Sequence, residues 1–396
     1  MYQTNQAQTV QSEAVQVAHA QVIHATAEIS GLRLIWSDDT NQLIPWFWVR
    51  DHGTDGISQN LKTLQRQVDT FSLAADTRAD IAAMDEAGQN IQIGWSDGQE
   101  TTISVQRIAE ATGKCIDDDQ LSGSDSKTYW LKDSMPDQVP SISFDEVMAS
   151  DEGVLNWLMK IDQYGFCVVT GTEATEEGTE RLAKRIAPAQ RTIFGTYWPL
   201  STDVKHHDDT AYTTDFLAPH TDASYYYNAA GLQMFNCIEF DGRGGESVVV
   251  DGFAIARKIE AERPDLYDTL CNIIVPGHYK EEGVHLAAER PVIRKNRHGE
   301  LVQVTFNNYD RSPFILPEKQ LEAFYEAYAE YSRHSMDQAN WLKIPLRPGM
   351  ALIFDNWRCM HGRMGYSGRR YFFGCYHDKA DYESRIRTLQ HQLARR

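Results

Sequence analysis

The stretch that decides the fold is Pro219-His220-Thr221-Asp222, in which an aspartate follows a histidine two positions later. A second histidine, His361, lies in the distant run Asp355-Asn356-Trp357-Arg358-Cys359-Met360-His361-Gly362-Arg363. Residues two apart on a strand project from the same side, so His220 and Asp222 can hold one ion together. Two imidazoles and one carboxylate suit ferrous iron and leave coordination positions open. The pattern therefore predicts an iron site with ligands His220, Asp222 and His361, the last carried by another strand.

An arginine follows the distal histidine at the start of an apolar segment. Arg370 precedes Tyr371-Phe372-Phe373-Gly374-Cys375-Tyr376, which has the pattern of a strand. A guanidinium group can form paired hydrogen bonds with a carboxylate. We therefore expect Arg370 to bind the far carboxylate of a 2-oxo acid co-substrate whose keto acid end chelates the iron. Together with the three ligands, Arg370 predicts an enzyme that activates oxygen.

The composition is that of a globular protein with neither a nucleic acid nor a membrane as its partner. The 396 residues carry a formal net charge of −18 and no run rich in lysine or arginine, so a phosphate backbone is not an expected ligand. The N-terminal segment lacks the features of a signal peptide, and no apolar run approaches the ~18 residues of a membrane span. The six cysteines form no CxxC pair, which is typical of free thiols in a reducing compartment. We expect a cytoplasmic protein.

Strand patterns and turn-rich segments divide the chain into four parts. Residues 1–28 are the expected tail. Residues 29–112 are expected to form a small N-terminal β domain, because two similar segments alternate apolar and polar residues and end at turns. The polar residues 113–140 are the predicted linker. Residues 141–396 are the predicted catalytic domain, so the fold class is mainly β with flanking helices, and the catalytic domain is expected to be a double-stranded β-helix, or jelly roll.

Within residues 141–396 the predicted strands outnumber the predicted helices. Residues 175–187 and the amphipathic segment 317–333 have the pattern of helices. The segments that have the pattern of strands are 166–170, 231–239, 246–250, 301–306, 350–354 and 370–377.

Six motifs occur in order along the chain: Pro219-His220-Thr221-Asp222, Gly231-Leu232-Gln233, Gly244-Gly245-Glu246-Ser247, Val250-Asp251-Gly252-Phe253, Asp355-Asn356-Trp357-Arg358 and His361-Gly362-Arg363. In this order they resemble the γ-butyrobetaine and trimethyllysine dioxygenases, which are Fe(II)- and 2-oxoglutarate-dependent enzymes of carnitine synthesis. The resemblance extends over residues 30–380. It implies that His220, Asp222 and His361 bind iron and that Arg370 anchors 2-oxoglutarate. It also implies a double-stranded β-helix behind a small N-terminal domain, and a homodimer.

The N-terminal domain departs from the family pattern. The resemblance implies a zinc ion bound by cysteines after a Trp-Leu-Arg-Asp-like stretch, whereas Trp48-Val49-Arg50-Asp51-His52 has no cysteine nearby. A structural zinc ion needs about four ligands, and residues 29–112 offer only His52. We therefore expect no zinc, and stoichiometric zinc in the purified protein would contradict this expectation.

The resemblance further implies an aromatic box for a trimethylammonium group, because a quaternary cation has no N–H to donate and ring faces attract it. Asp209 and the run Asn307-Asn308-Tyr309-Asp310-Arg311 resemble the trimethyllysine branch. Asp209 is then expected to face an α-ammonium group, and Asn308 or Arg311 an anionic end. The alternative is that the aromatic residues of the box are ordinary core residues and that the charged residues have only a surface role. The residues of the implied box are Phe194, Trp198, Tyr212 and Tyr376.

The sequence thus predicts a dioxygenase that uses Fe(II), 2-oxoglutarate and O2 to hydroxylate an aliphatic C–H bond of a trimethylammonium substrate, such as trimethyllysine or γ-butyrobetaine. A quaternary-ammonium phosphonate, 2-trimethylaminoethylphosphonate, is an alternative substrate because it also carries a cation and an anion at opposite ends. An alternative of another class is a non-catalytic metal- or ligand-binding β protein, against which the intact ligand set and Arg370 argue. Hydrolytic Cys/His chemistry is disfavoured because no cysteine lies in a nucleophile-like turn.

Overall fold

The computed structural model describes residues 21–114, 127–203, 207 and 209–395. The chain divides into two compact units, Met1–Gln120 and Leu121–Arg396. Strands predominate over helices in the described residues, which confirms the mainly β class with helices. None of the described helices combines the length and apolarity that a membrane span requires.

The first unit contains two small antiparallel sheets with strand orders β1-β2-β3 and β4-β5-β6. The two similar alternating segments of the sequence form β2 and β5. A 3-10 helix covers Thr70–Ser72. The strands and helices of this unit are β1 (Val22–Glu28), β2 (Gly31–Trp36), β3 (Asn41–Pro45), α1 (Trp46–Asp51), β4 (Ala79–Met84), β5 (Asn90–Trp95), β6 (Glu100–Ser104) and α2 (Val105–Thr112).

The predicted tail is too long at its C-terminal end. Strand β1 begins at Val22, inside the predicted range 1–28, and both Val22 and Ala25 are buried in the core of the first unit. Residues 1–20 lie outside the described residues. The sequence pattern did not predict this strand, because its buried residues are small or isolated among polar residues. Pairing with β2 along its whole length stabilises it.

The environment of His52 bears on the zinc expectation. Its ring stacks on Trp48 with ring centroids 4.2 Å apart, and its Nδ1 lies 2.8 Å from the Trp48 carbonyl oxygen. Arg66 Nη2 lies 3.2 Å from the other ring nitrogen. Protein groups thus surround both nitrogens, and the absence of zinc stays a prediction.

The second unit begins with part of the predicted linker and contains the remaining elements. Two 3-10 helices cover Thr210–Tyr212 and Gln338–Asn340. The strands and helices, in chain order, are β7 (Ser141–Ser143), α3 (Phe144–Ala149), α4 (Asp151–Tyr164), β8 (Phe166–Thr170), α5 (Glu176–Ala183), β9 (Tyr197–Leu200), β10 (Leu217–His220), β11 (Leu232–Gly244), β12 (Ser247–Asp251), α6 (Gly252–Glu262), α7 (Pro264–Asn272), β13 (Ile274–Glu281), β14 (Val284–Pro291), β15 (Ile293–Lys295), β16 (Leu301–Val304), α8 (Glu318–Met336), β17 (Leu342–Ile344), β18 (Met350–Asp355), β19 (Cys359–Arg363), β20 (Tyr366–His377) and α9 (Lys379–Ala394).

Two sheets dominate the second unit. A six-stranded sheet has the order β7-β8-β18-β11-β20-β9, and a four-stranded sheet has the order β10-β19-β12-β17. Only the β7–β8 pair is parallel among the described pairs of these sheets. Two hairpins, β13–β14 and β15–β16, complete the strands. Every predicted strand and both predicted helices of this unit are present within a few residues, but β11 and β20 continue beyond their predicted ends into a long pair.

The two sheets enclose one hydrophobic layer, and helices cover their outer faces. Between the sheets, Phe235 and Phe354 of the six-stranded sheet pack with Val249 and Cys359 of the four-stranded sheet. Helices α4 and α9 cover the outside of the first sheet, and α6, α7 and α8 cover the outside of the second. Alternation along β19 sends Met360 toward those helices, so the next residue, His361, faces the space between the sheets.

The predicted linker 113–140 is wrong at its C-terminal end, because this end is packed into the second unit; residues 115–126 lie outside the described part of the chain. Trp130 is fully buried. Its indole N–H donates to the Tyr164 carbonyl oxygen at 2.8 Å, and its backbone N–H donates to Asp251 Oδ2 at 3.2 Å. A single tryptophan in a polar segment was the available signal that residues 127–140 belong to the core.

One buried ion pair joins this segment to the sheets. Arg358 is 1% exposed and its Nη2 lies 2.7 Å from Asp251 Oδ2. Asp251 also begins α6, since its Oδ1 accepts the backbone N–H groups of Phe253 and Ala254. The same guanidinium donates to the carbonyl oxygens of Thr128 and Gln163. Because every donor and acceptor of this pair is used, removal of one partner leaves a buried charge uncompensated.

We expect Arg358→Leu to lower the free energy of unfolding of the second unit by about 3–5 kcal/mol, because the Asp251 carboxylate loses its buried partner. Urea unfolding measures this difference. The matched control is Arg369→Leu, since the Arg369 side chain is 63% exposed and pairs with Glu239 at the surface; its cost is expected to be ~0–1 kcal/mol. Equal losses in the two variants would contradict the assigned role.

Candidate functional site

Three side chains of metal-ligand type converge between the two sheets. His220, at the end of β10, is paired in register with His361 on β19. The Nε2 atoms of His220 and His361 lie 3.2 and 3.8 Å from Asp222 Oδ1. One ligand atom from each of the three residues lies within 4.8 Å of the others, and no other such group of His, Cys, Asp or Glu occurs in the described residues. The three residues predicted from the sequence can therefore share one metal ion.

The position of Asp222 has a different cause from the one that the sequence suggested. Strand β10 ends at His220, so Asp222 lies just beyond the strand. The Asp222 backbone N–H donates to Asn356 Oδ1 at 2.8 Å, and Asn356 Nδ2 donates to the Asp222 and Ala230 carbonyl oxygens. Ala223 then adopts a left-handed φ of 63°. The chain therefore turns at Asp222, and the buried amide of Asn356 fixes this turn.

The two carboxylate oxygens of Asp222 have separate partners. Oδ1 faces the imidazoles, whereas Oδ2 accepts hydrogen bonds from Gln233 Nε2 and from the Tyr376 hydroxyl, both at 2.8 Å. Gln233 and Tyr376 are themselves paired in register across β11 and β20. His220 Nδ1 lies 2.8 Å from the Ala218 carbonyl oxygen, so a proton on Nδ1 leaves the Nε2 lone pair for a metal. These contacts orient the ligand atoms toward one point.

The electrostatics of Asp222 and His361 favour metal binding. Burial raises the pKa of the Asp222 carboxyl, but its interactions with His361 and His220 outweigh burial and hold this pKa well below its usual value. Burial lowers the pKa of His361 to about 4, so its imidazole is neutral at physiological pH. Burial also lowers the pKa of His220, but the hydrogen bond and charge of Asp222 give a net increase. An ionised carboxylate beside a neutral imidazole is the form that metals require.

A cavity that opens to solvent extends from these three residues along the inner faces of the sheets. We call it the central cavity. It contains acidic, basic and aromatic side chains, which is the composition of a site for a small molecule with both charges. Its lining includes His220, Asp222 and His361, together with Phe194, Trp198, Asp209, Tyr212, Tyr225, Gln233, Ser247, Asn307, Asp310, Arg363, Arg370 and Tyr376.

Arg370 lines the central cavity as a buried cation without a carboxylate partner among the described residues. It is 4% exposed, its Nε has no hydrogen-bond partner, and its guanidinium carbon lies 3.6 Å from the Phe372 ring centroid. Burial, together with the charge of Arg363, lowers the pKa of Arg370 to about 9. Arg363 is itself held by carbonyl oxygens, including those of Ala211 and Thr213. Arg370 therefore retains the capacity to bind an anion.

All four residues of the predicted aromatic box line the central cavity. The rings of Trp198 and Tyr376 are 5.1 Å apart. Phe194 packs against Tyr279, with ring centroids 5.8 Å apart. Tyr376 has a second role, since its hydroxyl binds Asp222. The structure thus brings the predicted aromatic residues to the same cavity as the three metal-ligand residues.

The predicted polar contacts divide into two groups. Asp209 lines the central cavity, and burial, with the charge of Asp222, raises the pKa of its carboxyl. Asn308 is exposed and does not line this cavity. Arg311 lines a separate, smaller cavity and donates from Nε to Asn308 Oδ1 at 3.1 Å. Asn308 and Arg311 are therefore not neighbours of the metal ligands.

Several cavity residues were not singled out from the sequence. Gln233 and Arg363 stand in motifs that the sequence analysis quoted, so a signal existed for both. Asp310 stands in the quoted run Asn307-Asn308-Tyr309-Asp310-Arg311, although only Asn308 and Arg311 were predicted from it, whereas Tyr225 carried no local signal and the fold alone brings it to the central cavity. Burial, together with the charge of Asp209, raises the pKa of Asp310 to about 7.

Comparisons with known proteins agree with this site. The family model described as "Taurine catabolism dioxygenase TauD, TfdA family" matches residues 130–376. Trimethyllysine dioxygenase of Meyerozyma guilliermondii is 35% identical over 67% of this chain and 68% of its own length. The mitochondrial trimethyllysine dioxygenase of Gallus gallus is 30% identical, over 89% of this chain and 84% of its own. Gamma-butyrobetaine dioxygenase of Pongo abelii is 24% identical over 91% and 95% of the two chains.

The fold, the metal-ligand group and these matches define an iron-dependent oxygenase. The chain belongs to the TauD, TfdA family and, within it, to the γ-butyrobetaine and trimethyllysine dioxygenases. It is an enzyme that uses Fe(II) with 2-oxoglutarate and O2 as co-substrates, as the sequence predicted.

We expect Tyr376→Phe to weaken metal binding about 10–100-fold, because Asp222 Oδ2 loses one of the two donors that orient the carboxylate. Calorimetric titration of the apoprotein with Mn(II) measures this change in affinity. Tyr212→Phe is the control, since it removes a hydroxyl from the same cavity but leaves Asp222 untouched. Unchanged affinity in Tyr376→Phe would show that Asp222 is oriented without the phenol.

Proposed function

We propose that this dioxygenase hydroxylates an aliphatic C–H bond of a small trimethylammonium compound, with trimethyllysine as the preferred substrate. The observation that carries the proposal is the central cavity, where a His-Asp-His group, an unpaired buried arginine and four aromatic side chains meet. The relatives named trimethyllysine dioxygenase support the choice of substrate.

In this proposal His220, Asp222 and His361 hold the iron. When bound, iron supplies the redox chemistry that activates oxygen and leads to hydroxylation. The protein's part is to fix the ligands: Gln233 and Tyr376 bind one oxygen of Asp222, so the other stays directed at the two imidazoles. The donor set fits Fe(II) because it combines imidazole nitrogens with a carboxylate oxygen.

Arg370 binds the far carboxylate of 2-oxoglutarate in this proposal. Its guanidinium is buried and has no carboxylate partner in the described part of the chain. A buried cation is costly until an anion joins it, so a dicarboxylate co-substrate stabilises this part of the cavity as it binds. The Phe372 ring against the guanidinium keeps its plane fixed and excludes water.

The aromatic residues and Asp209 select the substrate. Phe194, Trp198 and Tyr212, together with Tyr376, offer ring faces to a trimethylammonium group, each worth roughly 0.5–2 kcal/mol. Asp209 offers a carboxylate to an α-ammonium group, which trimethyllysine has and γ-butyrobetaine lacks. Holding the substrate at two points sets which carbon faces the iron, and hydroxylation depends on that distance.

We also propose that the two facing sheets are the double-stranded β-helix of this family, with residues 29–112 as an accessory domain. A homodimer and a cytoplasmic location remain predictions of the sequence.

A screen for succinate formation tests the proposed function. Iron-loaded enzyme is assayed with 2-oxoglutarate and trimethyllysine, γ-butyrobetaine, 2-trimethylaminoethylphosphonate or choline, and His220→Ala is the inactive control. Trimethyllysine is expected to give the highest rate. A highest rate with the phosphonate would replace the proposed substrate by its alternative. If none of these compounds stimulates succinate formation, the proposal of a small trimethylammonium substrate is rejected.

The same screen on Asp209→Asn tests the specificity assignment. Turnover of trimethyllysine relative to γ-butyrobetaine is expected to fall about tenfold, because the side chain that accepts a hydrogen bond from the α-ammonium group loses its negative charge. Asp215→Asn is the control, since Asp215 is an exposed acid in the same segment. An unchanged ratio in Asp209→Asn would remove Asp209 from substrate recognition.

We expect Arg370→Gln to raise the KM for 2-oxoglutarate about 10–100-fold, because charge-assisted hydrogen bonds worth about 1.5–3 kcal/mol are lost. Succinate formation against 2-oxoglutarate concentration measures the effect. Arg369→Gln is the matched control, because the neighbouring residue of β20 points to the surface and pairs with Glu239. A similar rise in both variants, or in neither, would contradict the role of Arg370.

A further inference from the structure

A second cavity in the second unit contains charged groups that the proposed chemistry does not use. It is smaller than the central cavity and lies beside the β13–β14 hairpin. We call it the arginine cavity. It shares Asn307 with the central cavity. Its polar lining consists of Ser224, Arg290, Thr305, Asn307, Arg311 and Tyr328.

Two cations line the arginine cavity without an acidic partner. Neither Arg290 nor Arg311 forms an ion pair with any carboxylate of the described residues, although the chain has 56 acidic residues against 38 basic ones. Arg290 donates to the Tyr226 carbonyl oxygen, and Arg311 donates to the neutral amide of Asn308. Burial, with the charge of Arg294, lowers the pKa of Arg290 to about 10. The Arg311 guanidinium also lies over the Tyr328 ring, but no carboxylate of the described residues compensates the positive charge of this cavity.

A buried hydroxyl also faces the same space. Ser224 is 7% exposed and its Oγ has no hydrogen-bond partner. Unsatisfied buried hydroxyls are rare and usually indicate a missing ligand or water. Gly277 keeps the hydroxyl accessible, because a Cβ at this position would lie 2.9 Å from Ser224 Oγ. Gly277 also pairs with the backbone of Arg311, so the glycine, the hydroxyl and one cation are held together.

We propose that the arginine cavity binds one small anion, a halide or a carboxylate group, between Arg290, Arg311 and the Ser224 hydroxyl. An anion compensates both cations and accepts the hydrogen bond that Ser224 otherwise lacks. Arginine suits this role because its donors are weakly hydrated and match a carboxylate. The site does not depend on which compound the central cavity hydroxylates.

Two sources can supply such an anion. One is the solution, and the other is the carboxylate of a substrate that reaches past Asn307. Asn307 stands between the cavities: its Nδ2 donates to the Thr221 carbonyl oxygen and to Asp310 Oδ2. Occupancy of the arginine cavity therefore affects a residue that lines both cavities.

Bromide is the probe for this site. Crystals of the full-length protein are soaked in sodium bromide in chloride-free buffer, and bromide affinity is titrated in solution at constant ionic strength with gluconate. We expect an anomalous peak between Arg290 and Arg311. Arg311→Gln and Ser224→Ala are each expected to weaken bromide binding about tenfold or more, since each removes a hydrogen bond to the anion.

Arg297→Gln is the matched control, because Arg297 is an exposed arginine outside both cavities. Gly277→Ala is a further variant that narrows the cavity at Ser224 without removal of charge, and it is expected to weaken bromide binding as well. Circular dichroism identifies any variant that does not fold. Absence of the peak, or equal bromide affinity in wild type, Ser224→Ala and Gly277→Ala, would overturn the proposal.

A soak with bromide and trimethyllysine distinguishes the two sources. Loss of bromide, with the substrate carboxylate in its place, assigns the site to the substrate. Retention of bromide assigns it to a free anion. Both outcomes support the anion site, and the succinate screen, which uses no bromide, tests the proposed function separately.

Discussion

The active site depends on how the Asp222 carboxylate is held. One oxygen accepts hydrogen bonds from Gln233 and Tyr376, which leaves the other for the two imidazoles. These donors lie on adjacent strands of the six-stranded sheet, whereas both histidines belong to the four-stranded sheet. The ligand group is therefore complete only when the two sheets pack in their native positions. Asn356 adds a third constraint, because its amide fixes the backbone at Asp222 itself.

The charges in the second unit follow one physical principle. Where a buried ion has a protein partner, as in the Arg358–Asp251 pair, the two charges compensate each other and the loss of either one destabilises the fold. Where a buried ion lacks a partner, as with Arg370, the fold tolerates a cost that a ligand can offset. Asp209 and Asp310 show the same condition with opposite sign, since neither has a cationic partner among the described residues and burial raises the pKa of both. In the proposals made above, uncompensated charge marks the parts of the cavities that take small molecules of opposite charge.

The meeting of His220, Asp222 and His361 with Arg370 at one cavity, and the strands around them, could be predicted from the sequence, because ligand chemistry and alternating apolar residues are local signals. The residues missed are those that depend on distant packing. Asp310 lines the central cavity and Arg311 does not, although they are neighbours, and only the backbone path after β16 decides between them. The strand geometry assigned to Asp222 was also wrong, because the partner that fixes its turn, Asn356, is remote in sequence. The predicted boundaries of the tail and the linker were wrong where one or two buried side chains, such as Val22 and Trp130, lie in polar segments.

The packing of Trp130 has a consequence for the limits of the catalytic unit. Its indole, its backbone and the nearby Thr128 carbonyl oxygen are bonded to Tyr164, Asp251 and Arg358. Residues 127–140, which the sequence predicts to be part of a linker, thus belong to the folded unit. A recombinant fragment that begins at residue 141 would lack the buried Trp130 and its contacts, whereas one that begins before residue 127 would retain them. The folded oxygenase unit therefore begins before its first strand, β7.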